Sequence, residues 1–159
     1  MKKYIKVFVG IILAFLLYTA LRKISISLIQ LFNFFSLVVI YFAMTKGEIF
    51  GACLGTVCGL LQDTFSLGVF GVAGLSKTIM GFLAGYIPKK LDVTPFFRNL
   101  LFIFILLSIE FILWAFLSSV IFSQRILIGR TLSSFQPLSN AIFGSFLFLL
   151  LRKFKIFSS

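Results

Sequence analysis

Long apolar runs broken by short polar or basic interruptions make up the sequence, without the strict alternation of a half-buried strand. A helix that crosses a membrane needs about 20 mostly apolar residues. The chain divides into six such runs, at residues 4–21, 24–44, 47–61, 67–87, 100–122 and 135–151. Pro88 closes the fourth, Thr94-Pro95 precedes the fifth, and Gln136-Pro137 opens the sixth, places where a proline ends or starts a helix. The first and third runs are short, which predicts a tilted or partly re-entrant path. Lys2 and Lys3 ahead of an apolar run resemble a secretory signal, but Arg22-Lys23 follows and no A-x-A cleavage site is visible, so a retained anchor is expected. The pattern predicts an all-α polytopic membrane protein: one transmembrane domain over residues 1–159, folded as a six-helix bundle.

Composition strengthens this reading. Of 159 residues, 60% are hydrophobic and only 12% charged, against about 45–50% and about 25% in a soluble domain. A water-soluble chain of this length cannot bury so much apolar surface. Fifteen Lys+Arg against four Asp+Glu give a net charge of +11. On a soluble protein that excess suggests nucleic acid. Here the basic residues flank the apolar runs, so topology explains them and no nucleic-acid partner is expected. With the N-terminus in the cytoplasm, ten of the fifteen fall on the cytoplasmic side: Lys2, Lys3, Lys6, Lys46, Lys89, Lys90, Arg98, Arg152, Lys153 and Lys155. Arg22, Lys23, Arg125 and Arg130 fall outside. The bias predicts six spans with both termini cytoplasmic. A re-entrant third run would put the Arg152–Lys155 cluster outside, against the rule.

The chain has no histidine, which removes the commonest metal ligand and general base. Cys53 and Cys58, five apart in one apolar run, point to different helix faces and read as packing residues. Ser76 and Lys77 are adjacent and do not face each other on a helix. No Ser/Lys or Asp/Asp pair stands at recognisable spacing, so no enzyme, metal or cofactor is expected.

The third run carries Gly47, Gly51, Gly55 and Gly59, each four apart, and Asp63 continues the spacing. Four residues advance a helix by about 400°, so the stripe drifts about 40° per step and stays on one side. Ala52 and Thr56 widen the smooth surface, over which another helix can pass closely. Either the bundle packs there or a partner's transmembrane helix docks there; one face serves only one of these. Gly81 and Gly85 repeat the spacing in the fourth run, for which close crossing of the third and fourth spans is the simpler explanation.

Ionisable residues at membrane depth cost about 2.5–3.5 kcal/mol each to insert. Lys77 lies 11 residues before Pro88 and Glu110 lies 12 after Arg98. Both therefore stand about 16–18 Å above the same loop, and the two are expected to pair, as a structural ion pair or as a proton relay or ligand site. Asp63, at the outer end of the third run, is expected to cap the following helix and order the loop. The second run holds Ser25, Ser27, Gln30, Asn33 and Ser36, the last four spaced by three. They form a slowly turning polar track, for interhelical hydrogen bonds or a polar cavity.

The glycine pattern Gly51-x3-Gly55-x3-Gly59-Leu60-Leu61-Gln62-Asp63, then Gly68-x2-Gly71, then Leu75-Ser76-Lys77-Thr78-x3-Gly81-x3-Gly85 resembles the rod shape-determining MreD family. The specific motif covers roughly residues 47–85, and the remainder matches in length and hydropathy. The resemblance makes Gly51, Gly55, Gly59, Asp63, Gly68 and Lys77 family-pattern positions. It implies a fold similar to the six-helix substrate-binding subunit of energy-coupling-factor vitamin transporters. It also implies a non-catalytic role in the cell-elongation machinery of the bacterial inner membrane, embedded in lipid and bound to the bitopic scaffold MreC. Through MreC the complex acts with RodA, a class B penicillin-binding transpeptidase and MreB, in cell shape and peptidoglycan synthesis. The alternative is a small-molecule-binding subunit of a transporter, with the polar track and the Lys77–Glu110 pair as its site.

Overall fold

The computed structural model describes residues 2–24, 32–65, 70–91, 93, 95–122 and 135–153. Among these residues the regular structure is helical: α1 (Lys2–Ile24), α2 (Phe34–Lys46), α3 (Glu48–Phe65), α4 (Val72–Tyr86), a 3₁₀ turn (Ile87–Lys89), α5 (Phe96–Phe122) and α6 (Gln136–Lys153). No strand occurs among them. The boundaries follow local chemistry. Asn33 caps α2 by accepting from the Ser36 N–H. Gly47 ends it at φ 99°, a conformation side-chain-bearing residues rarely adopt, and lets α3 start one residue later. Pro88 tightens the end of α4 into the 3₁₀ turn, and Pro137 sits in the first turn of α6, where its missing N–H leaves no intrahelical bond unmade.

The helix boundaries differ from the apolar runs in several places: α1 continues through Arg22 and Lys23 to Ile24, α4 begins at Val72 after a turn at Phe70 and Gly71, and α5 begins at Phe96. The second run, 24–44, is not one unbroken helix: Phe32 and Asn33 are non-helical and α2 begins at Phe34. The third is longer than its apolar stretch, because α3 carries Gln62, Asp63 and Thr64 inside the helix as far as Phe65. Ser25, Ser27, Gln30, Gly68, Arg125, Arg130 and Lys155 lie outside the described residues.

The bundle runs up and down. α1 and α2 are antiparallel, since Gly10 lies on Phe42 while Tyr18 meets Phe35 with ring centroids 5.8 Å apart. α6 is parallel to α2: Asn33 meets Asn140 near one end, and Tyr41 meets Phe148 further along, ring centroids 5.2 Å apart. α3 and α4 form the most extensive pairing. The first turn of α1, the α2–α3 junction, the 3₁₀ turn, the start of α5 and the last turn of α6 thus gather at one end.

α2 is the central helix. Phe35, Leu37, Val39, Ile40, Phe42 and Ala43 are buried, and it touches α1, α3, α4 and α6. Met80 and Ala84 of α4, Ile103 and Leu106 of α5 and Ala141 of α6 complete the core. The distribution is inverted relative to a water-soluble protein. Lys77, Ser36, Ser76, Asn140 and Ser145 are fully buried. Phe8, Ile12, Leu16, Phe97, Ile112, Phe116, Ile142 and Phe146 stand on the outside. An apolar exterior of this extent matches hydrocarbon as the solvent. Among the described residues one helix, over Phe96–Ile121, is long and apolar enough to cross a membrane by length and composition; Val7–Ala20, Phe34–Lys46 and Gln136–Leu150 are shorter apolar helices.

Candidate functional site: a glycine crossing beside a buried ion pair

The α3–α4 interface is built from the glycine spacing on both helices. A Cβ on Gly51 would fall closer than 3.0 Å to the Gly81 carbonyl oxygen, one on Gly55 as close to that of Lys77, and one on Gly59 as close to that of Ala73. A Cβ on Gly85 would strike Gly47 and Glu48 in the same way. Each step of four along α3 is matched by a step of four backwards along α4, so the two backbones lie against each other over the whole crossing. Side-chain absence makes this possible, and van der Waals contact between main chains supplies the attraction. Thr56 Oγ1 and Thr78 Oγ1 add one hydrogen bond across the seam at 2.7 Å. α4 therefore occupies the glycine face of α3, which leaves no room there for another helix. Gly47 is not part of the helical stripe; it is the turn that feeds α3.

With its backbone against Gly55, Lys77 sends its side chain the other way, between α2 and α5. Its ammonium forms a salt bridge with Glu110 Oε1 and donates to Ser36 Oγ. Ser36 Oγ in turn donates to Glu110 Oε1 at 2.8 Å, and Asn33 Nδ2 donates to the same oxygen at 3.4 Å. The Asn33 N–H donates to Asn140 Oδ1 at 3.0 Å, which ties α6 to the network. Glu110 also faces the N-terminus of α2, where unpaired N–H groups and the helix dipole favour a carboxylate. Two groups costly to insert alone are thus neutralised within a shell of donors and acceptors. Glu110 Oε2 is the exception, buried with no hydrogen-bond partner.

Sequence spacing shows Lys77 and Glu110 but not their surroundings. The polar track contributes Ser36 as a helical residue and Asn33 as a cap. Asn140 was missed: a lone amide in an apolar run is the signal that could have found it, by the same cost argument applied to the second run. Ser36 and Lys77, 41 residues apart, make a Ser–Lys contact that no local spacing reveals.

Asp63 sits in the last turn of α3 and reaches over the start of α4. Its Oδ2 accepts from Gly71 N at 2.8 Å and Gly74 N at 3.2 Å, and its Oδ1 accepts from Ala73 N at 3.2 Å. Gly71, the N-cap residue itself, has φ 97° and offers no side chain, so the carboxylate of the previous helix satisfies the orphan donors. At the opposite end of the crossing, Lys89 forms a salt bridge with Glu48. Among the described residues no group of three His, Cys, Asp or Glu side chains could hold a metal.

Comparison with known proteins adds one match. The family model for rod shape-determining protein MreD matches residues 1–156. No curated protein and no solved structure matches the chain.

Proposed function

The chain belongs to the MreD family of rod shape-determining proteins, and from that premise we propose that it is a non-catalytic, multi-pass scaffold that binds MreC. The family's part in rod shape determination and its inner-membrane location frame the proposal. The single observation that carries it is the family match over residues 1–156. In this reading both termini are cytoplasmic. MreC links the protein to RodA, a class B penicillin-binding transpeptidase and MreB, so that it helps direct peptidoglycan synthesis.

A scaffold of this kind needs a surface more than a reactive group. With the glycine face taken by α4, the surfaces left for a partner helix are the outer apolar faces. One such face is on α1, where Phe8, Ile12 and Leu16 stand exposed at helical spacing. A bound helix restricts tilt and position, and it shifts an enzyme toward activity only through differential affinity for its two states. The test is co-purification of MreC with the full chain from membranes. Ile12→Trp should weaken association while Leu75→Trp on α4 leaves it intact. Association unchanged in Ile12→Trp and in the paired variant Phe8→Ala/Leu16→Ala would reject the α1 face. No MreC retained even by the unaltered protein would reject the partnership.

One observation favours a second reading, a small-molecule-binding subunit on a fold like that of the energy-coupling-factor transporters. Glu110 Oε2 is a buried acceptor without a donor, beside Lys77. A ligand offering an N–H or O–H would complete it. Saturable stabilisation of the purified protein by such a compound, abolished in Glu110→Gln, would establish that reading; no stabilisation across a set of vitamins and amines would dismiss it.

A further inference from the structure

The end of the bundle where α2 turns into α3 and α4 runs into α5 carries Lys46, Lys89, Lys90 and Arg98 among its described residues. Of the carboxylates nearby, Glu48 is held by Lys89, and Asp92 lies outside the described residues. Two of the cations are placed over aromatic rings. The Lys90 ammonium stands 4.9 Å from the centroid of Tyr86, and that of Lys46 stands 4.9 Å from Phe50. Tyr86 stacks on Phe82, ring centroids 6.0 Å apart and ring planes nearly parallel. From there an exposed apolar row continues along α4 through Ile79 to Leu75. Leu75 to Tyr86 spans about 16 Å at about 1.5 Å per residue, close to half of a hydrocarbon core about 30 Å thick. A cation at the top, an aromatic ring at the height of the membrane interface, and an apolar row one leaflet deep together have the shape of a single phospholipid.

We propose that this edge of α4 is a binding site for an anionic phospholipid, with its phosphate at Lys90 and at the half-exposed ammonium of Lys89, which it would share with Glu48, and its acyl chains along Tyr86, Phe82, Ile79 and Leu75. The assignment rests on the membrane-embedded reading and not on the partnership with MreC. An acidic protein surface is the weaker occupant, because the apolar row beneath the lysines suits acyl chains. Lys90 is exposed and its ammonium stands over the exposed Tyr86 ring, so its replacement leaves the core packing untouched.

Native mass spectrometry of the full chain in detergent tests the site, with phosphatidylglycerol and phosphatidylcholine offered in equal amounts. The unaltered protein should retain phosphatidylglycerol preferentially. Lys90→Gln should lower that retention about fivefold, the factor expected for one basic residue near a lipid surface. Lys89→Gln/Lys90→Gln should lower it further, while Lys90→Arg preserves it. Equal retention of the two lipids, or a preference unchanged in the double Gln variant, would overturn the site while leaving the membrane reading intact. Retention of neither lipid would likewise overturn the site. Displacement by soluble glycerol phosphate as readily as by the lipid would also overturn it, since the apolar row would then contribute nothing. A double variant that keeps its lipid preference but loses a co-purifying protein would mark the patch as a protein-docking surface instead.

Discussion

α4 is held on its two sides by opposite means. Toward α3 it meets glycines, main chain on main chain, with charge only at the two ends of the crossing, at Asp63 and in the Glu48–Lys89 pair. Toward α2 and α5 it extends a lysine into a network of five side chains from four helices. Lipid tails are as apolar as leucine, so burying leucines between helices gains little inside a membrane. Close backbone contact and internal polar pairing are the two remaining ways to fix a helix position. The crossing has no room for added volume at Gly51, Gly55 or Gly59, and the cluster should not tolerate an unbalanced change of charge.

That contrast can be broken in graded ways. The largest effect is expected from Glu110→Leu, which leaves the Lys77 ammonium buried without its carboxylate. Removing one partner of a buried pair costs about 3–5 kcal/mol. The double variant Lys77→Met/Glu110→Leu should recover most of that loss, read as the midpoint of unfolding in mixed detergent. If the double variant is as unstable as the single, the network serves more than charge balance. Next comes Gly55→Leu, which drives a side chain into the Lys77 carbonyl and should cost about 3 kcal/mol. Its damage should not be relieved by Lys77→Met, since the clash is with main chain; relief by that change would mean the two sides of α4 are not independent.

Asp63→Ala removes one acceptor from three N–H groups at the start of α4 and should cost about 1–2 kcal/mol. Faster amide exchange should appear at Gly71, Ala73 and Gly74, and unchanged exchange there would discard the capping role. Thr56→Ala is the smallest, about 0.6 kcal/mol for one interhelical hydrogen bond. A cost several times larger would show that the seam depends on polar contact after all and would weaken the contrast.

How far the sequence reaches differs between these two sides. The glycine crossing is written locally: a step of four on each helix is visible in the chain, and an antiparallel pair joined by a short connection brings the two stripes together. What spacing leaves open is whether that face meets a helix of the same chain or of another. Lys77 and Glu110 are legible because charge inside an apolar run is expensive wherever it occurs, and equal depth above one loop puts them at one level. Ser36, Asn33 and Asn140 are a different matter. Their side chains carry no charge, each is cheap alone, and nothing in the chain says that residue 33 would lie beside residue 140.

Hydropathy and the four-residue glycine period follow from properties each residue carries wherever it is placed, and they were enough to specify helices and a close crossing. The break ahead of Phe34, the capping of α4 by an aspartate of α3 and the joining of three polar residues to one ion pair depend on which groups find partners once the helices meet. A buried polar group takes whatever donor or acceptor the packing brings to it, and packing depends on the positions of all six helices together.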